Sequence, residues 1–69
     1  MESKKHQYTL YDSRAITDKE RATVYTVCET LEEALHDKKE MFTDAVIFKE
    51  YLEKQKDGSY ITWSSHIIK

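Results

Sequence analysis

Thr30-Leu31-Glu32-Glu33 marks the start of a helix, and the chain on either side of it is written for β-strands. In a Thr-x-x-Glu start, the Thr30 hydroxyl accepts from the backbone N–H of Glu33 and the Glu33 side chain reaches back to the Thr30 N–H. Glu32 and Glu33 also complement the positive end of the helix dipole. Just upstream, residues 23–27 are all β-branched or aromatic and run into Cys28, a strand composition. Downstream, Leu31, Ala34, Leu35, Lys38, Met41, Phe42 and Ala45 recur at spacings of three and four, which defines a single apolar stripe. A second β-rich half follows and turns at Asp57-Gly58, a strong hairpin signal. The order is strand, strand, helix, strand, strand. These features predict a single α+β domain: a four-stranded antiparallel sheet with one helix packed on one face. The other face is left to water or to a partner.

Alternation assigns side chains to faces. Over residues 6–12, Tyr8 and Leu10 share one face, with Gln7, Thr9 and Tyr11 on the other. Residues 13–22 are charged and break the pattern, so they predict an exposed connection with a helical turn from Thr17. In the next strand Val24, Thr26 and Cys28 fall on one side and Tyr25 and Val27 on the other. A two-residue Asp57-Gly58 turn pairs Lys56 with Ser59, Leu52 with Trp63, Glu50 with Ser65 and Phe48 with Ile67. Opposed residues lie on one face, so Phe48, Leu52, Ile61, Trp63 and Ile67 form the predicted seat of the helix. The uncovered face then carries Lys49, Tyr51, Tyr60 and His66, joined by Tyr25 and Tyr11. A slip of one residue would exchange the two sets.

At 69 residues the chain holds one domain, expected over 1–69 with residues 1–6 as a loose polar lead. A core this small supplies about 3–5 kcal/mol at most, and small domains often gain the rest from a disulfide, a metal or a partner. Cys28 is the only cysteine, so an intrachain disulfide is excluded. The net charge is −2 with 35% charged residues, and both signs are interleaved. Proteins that bind nucleic acid mainly through phosphate contacts usually carry a basic patch or stripe, so the balance favours a protein partner over nucleic acid. No segment has the length of a membrane span and no apolar signal core follows Met1, which leads us to expect a cytoplasmic protein with no membrane partner.

No constellation points to catalysis. Cys28 has no evident base, and a strand thiol under a helix is inert. His6, His36, His66 and Cys28 match no compact ligand spacing, so neither metal nor cofactor is expected. Ser64, Ser65 and His66 are adjacent on a strand and point to alternating faces. Glu32 and Glu33 serve the helix start, and Glu50 and Glu53 read as surface charge. The chain therefore reads as a binding protein, not an enzyme. Tyrosine brings large contact area with a polar tip, which makes Tyr11, Tyr25, Tyr51 and Tyr60 the candidate contacts. Lys49 and His66 lie beside them, and Arg14 and Arg21 come from the 13–22 connection. A homodimer through the same face is the alternative, followed by a single-stranded nucleic-acid binder stacking bases on the tyrosines.

The segments Leu10-Tyr11-Asp12-Ser13-Arg14-Ala15 and Arg21-Ala22-Thr23-Val24-Tyr25-Thr26-Val27-Cys28-Glu29-Thr30-Leu31-Glu32-Glu33-Ala34 resemble a pattern in small phage and mobile-element proteins. The tail, with Asp44-Ala45-Val46-Ile47-Phe48 and then Asp57-Gly58-Ser59-Tyr60, is similar to the strand-after-helix and hairpin of the same plan. That plan also resembles some small anti-CRISPR proteins. The resemblance implies an inhibitor that binds and blocks a host defence complex. It transfers no functional residues, because such proteins differ in the surface they use.

Overall fold

The computed structural model describes residues 4–68. Four strands, β1 (Lys4–Tyr11), β2 (Val24–Cys28), β3 (Val46–Lys54) and β4 (Tyr60–Ile68), form one antiparallel sheet in the order β2-β1-β3-β4. A single helix, α1 (Leu31–Glu40), joins β2 to β3. The expected α+β layout is therefore the observed one. Thr30 caps α1 as its sequence requires: its Oγ1 accepts from the Glu33 N–H at 3.2 Å. The return contact differs, since the Thr30 hydroxyl donates to the Glu33 carboxylate at 3.4 Å. Of the expected polar lead, residues 1–3 lie outside the described residues. Lys4 to His6 already belong to β1, paired with Glu53, Leu52 and Tyr51.

The helix sits on the face opposite to the one expected. Its Ala34 is fully buried against Tyr8, Leu10, Cys28 and Ile47, with Ala45 completing the cluster and Leu31, Phe42, Tyr25 and Ile68 at its margin. Leu10 has no exposed surface. The predicted seat, Phe48, Leu52 and Ile67, lies on the other face. The error lies in the phase of β3, whose Ile47, Lys49 and Tyr51 share the helix side with Tyr8 and Leu10 although the pairs Phe48–Ile67 and Glu50–Ser65 are the expected ones; two bulges then re-aim the residues around them. Between Tyr51 and Leu52 the β3–β4 register shifts: Ser64 opposes Tyr51, yet Thr62 opposes Leu52. Trp63 is thus a bulge, which puts Tyr60 and Thr62 on the face opposite to Tyr51 and leaves Ile61 on the helix side, apart from its predicted companions Phe48 and Leu52. Tyr25 is a second bulge, between Thr26 opposite Leu10 and Val24 opposite Tyr11. It places Val24 and Val27 on one side and swings Tyr25 toward the helix, where its ring stacks on Phe42 at 4.9 Å.

The hairpin turn also departs from the two-residue form. Gln55 donates its N–H to Ser59 O at 2.7 Å and Gly58 donates to Gln55 O at 3.1 Å, leaving a three-residue loop. Gly58 has φ 92° while no other described residue has positive φ. A two-residue type I′ turn needs positive φ at both central positions, which Asp57 does not adopt. Asp57 instead folds its carboxylate onto the Ser59 N–H and hydroxyl.

The 13–22 connection is not simply solvated. It forms two 3₁₀ turns, Ser13–Ile16 and Lys19–Arg21, in place of one from Thr17. Ala15 is buried, and Lys19 lies across the sheet face that α1 leaves bare. Meanwhile α1 packs on β1 and β2 and hardly reaches β3 and β4. Leu35 remains 51% exposed, and Met41 is exposed too, so the stripe read from the sequence is only partly core. The result is a sheet half covered on each side.

Candidate protein-contact surface

Because α1 is only ten residues long and follows the edge strand β2, it shields one half of its face and leaves the β3–β4 half open. Cross-strand pairing brings His6 opposite Tyr51, Tyr8 opposite Lys49, and His66 opposite Lys49 on that same face. Tyr51 is the hub. Its ring centroid lies 5.6 Å from Trp63, 5.7 Å from His66 and 6.3 Å from His6. His6 in turn meets Tyr8 edge-on at 5.8 Å. The Lys49 ammonium stands 5.1 Å from the Tyr51 centroid and 5.9 Å from that of Tyr8, distances at which cation–π attraction operates. Trp63 is 56% exposed, because the bulge places its indole at the rim instead of in a core. The patch is apolar in area and polar at its tips.

The opposite face holds a different arrangement. Glu50, only 5% exposed, lies between Phe48 and Leu52 on β3. It accepts from Thr9 Oγ1 at 2.6 Å, Tyr11 Oη at 2.7 Å and Gln7 Nε2 at 3.3 Å. The Lys19 ammonium completes the set at 2.7 Å and also donates to Ser65 Oγ at 3.0 Å. The same ammonium stands 5.3 Å from the Tyr11 ring centroid and 5.0 Å from that of Phe48. Glu50 is therefore no surface charge but the pin that fastens the 13–22 connection to the sheet.

Burial by itself would raise the Glu50 pKa, yet donation from Lys19, Thr9, Tyr11 and Gln7 outweighs it and holds the carboxyl at about 2 against an ordinary 4.5. The folded value lies below the unfolded one. The stabilisation is therefore complete above about pH 4.5 and is lost as pH falls toward about 2. At about 1.4 kcal/mol for each pH unit it amounts to about 3 kcal/mol. Urea unfolding across this window should follow that loss, and a flat stability would contradict the cluster as described. Asp12 acts in the same window, its carboxyl lowered to about 2 by the Arg14 guanidinium and the Thr23 N–H, and Asp12→Asn separates the two contributions.

The eight candidate residues do not share one surface. Lys49, Tyr51 and His66 meet in the aromatic patch. Tyr60 opposes Lys54 on the other face, with the Lys5 ammonium 4.5 Å from its ring centroid. Tyr11 is also on that face, buried and committed to Glu50. Tyr25 closes the helix-side core and donates to Asp44 at 3.0 Å. Arg14 pairs with Asp12 at 2.8 Å and Arg21 with Asp18 at 3.2 Å, so both guanidinium groups clip the connection to itself. The sequence reading missed His6, Tyr8 and Trp63 as members of the patch, and Gln7, Thr9 and Lys19 as partners of Glu50. One available signal was Phe48-x-Glu50-x-Leu52, a carboxylate alternating with apolar residues. The other was the hydroxyls of Thr9 and Tyr11 on a single face of β1.

The reactive groups are occupied. Cys28 is buried and donates its thiol to Asp37 at 3.4 Å, and burial together with that carboxylate raises its pKa to about 11. Among the described residues no three potential ligands gather to hold a metal, and no helix is long and apolar enough to cross a membrane. Comparison with protein-family models, with curated proteins and with solved structures finds no significant match.

Proposed function

We propose that the protein is a non-enzymatic binding module whose contact surface is the aromatic patch around Tyr51. The observation that carries this reading is the clustering of Trp63, Tyr51, His66, His6 and Lys49 on the half of the sheet that α1 leaves open. Tryptophan and tyrosine dominate binding energies at protein interfaces, because they bury large rigid surfaces while keeping a polar atom for a partner. The state of the reactive groups supports binding over catalysis: the Glu50 carboxylate has four donors and the Cys28 thiol is held protonated. Blocking a host complex is the form of binding that the likeness to mobile-element proteins suggests, and lysate of a host cell is the first source of partners to try.

The test compares immobilised wild type with Trp63→Ala and Tyr51→Ala. A protein retained by the wild type should be lost from both variants, with affinity lowered roughly 30-fold, the equivalent of a hot-spot loss of about 2 kcal/mol. Trp63→Ala should cost about 1 kcal/mol of stability or less, since its side chain is largely in water. Equal retention by all three proteins would reject the patch. Retention of nucleic acid in place of protein would replace the reading with a base-stacking one.

A further inference from the structure

Among the described strands, the outer edge of β4 is the longer of the two free edges, and the Trp63 bulge is its one guard. β4 runs nine residues, Tyr60–Ile68, at the end of the sheet order β2-β1-β3-β4. A strand in that position presents unpaired N–H and C=O groups, and natural edges are guarded by lysine, proline, bulges or short length. β4 contains no Asp, Glu, Lys, Arg or Pro, in a chain that is 35% charged. Its side chains include Tyr60, Ile61 and Trp63, all exposed. The other edge, β2, is also uncharged but only five residues long.

We infer that β4 pairs antiparallel with β4 of a second copy, joining two sheets into one of eight strands. Two features select a second copy as the occupant. A twofold contact sets the same strand against itself, and an edge free of formal charge puts no like charges across the axis. A chain of this size also has little core of its own, so the added burial offsets a real deficit.

The faces fix the register. Ser64 and His66 lie on the helix side with Ile61, while Tyr60, Thr62 and Ser65 lie on the other side. Opposed residues must share a face. With Ser64 on the twofold axis and Trp63 bulged out of each strand, Thr62 meets Ser65 of the second copy, Ile61 meets its His66 and Tyr60 meets its Ile67. Every pair then matches in face. The axis is perpendicular to the sheet, so both helices and both aromatic patches lie on the same side. Two patches become one continuous surface. This inference stands on the β4 backbone and its charge, independently of what the patch binds.

Sedimentation across a concentration series tests it. The wild type should rise from the 8.2 kDa of one chain toward twice that mass, and β4 amides should gain hydrogen-exchange protection with concentration. Ser64→Lys and Ser64→Glu, each checked for fold by circular dichroism, should be monomers when alone. Mixed in equal amounts they should restore the dimer, because opposite charges then face each other on the axis. Val24→Lys, on the β2 edge, should leave the mass unchanged. A wild type with the mass of one chain at every concentration would overturn the inference, as would a dimer broken by Val24→Lys and untouched by Ser64→Lys. Either result leaves patch-dependent retention of a different protein free to stand.

Discussion

Glu50→Ala should lower the stability of this domain by about 3–5 kcal/mol, enough to unfold a large fraction of it at neutral pH. The carboxylate sits under four donors, three of them from β1 and one from the 13–22 connection. Removing it strands the Thr9 and Tyr11 hydroxyls and the Lys19 ammonium on a face that is otherwise apolar around Phe48 and Leu52. Buried donors without acceptors lose about 1–3 kcal/mol each. Lys19 is partly exposed and recovers some of its loss in water, so the total falls short of the simple sum. A companion variant isolates the cause. Glu50→Leu combined with Tyr11→Phe and Thr9→Val removes the carboxylate and two donors together, and should recover much of the stability, because both partners of those hydrogen bonds become apolar and the partly exposed Lys19 ammonium turns to water. Urea unfolding of both variants decides between them. If the triple variant is as unstable as Glu50→Ala, Glu50 acts by its shape and not by its hydrogen bonds.

Leu10→Ala should cost a similar amount for a different reason. Leu10 is fully buried near the C-terminal end of the inner strand β1, between Ile47 and Thr26 and beneath the helix. Truncating a buried leucine removes its transfer free energy and leaves a cavity, together about 3–5 kcal/mol. Leu35→Ala, on the helix stripe but half exposed, should cost about 1 kcal/mol. Chemical denaturation of the two variants side by side measures how far the helix stripe is core, and equal losses would place Leu35 inside it.

The element order, the Thr30 start of α1 and the face shared by Tyr8 and Leu10 were all legible without coordinates. Each depends on local geometry: a hydroxyl within reach of an N–H three residues on, or a period of two along a strand. The contact surface was harder. Lys49, Tyr51 and His66 were correctly placed together because no irregularity lies between them in the β3–β4 ladder. Tyr60 was misplaced because one residue, Trp63, is inserted in that ladder. Nothing in alternation distinguishes a bulged tryptophan from a paired one. Glu50 was missed since a carboxylate on a strand is ordinarily a surface charge. Only the meeting of β1, β3 and the 13–22 connection, whose Lys19 lies 31 positions away in the chain, turns it into a pinned anion.

By itself the sequence determined a small α+β unit with one helix for four strands, a lone inert thiol and a final strand without formal charge. Those properties follow from residue types and short-range spacing, which act over a few bonds. The tertiary structure alone decided which side of the sheet the helix covers, which aromatic rings meet and where the buried charge is neutralised. These depend on register, and a single extra residue in a strand reverses every face beyond it at little local cost.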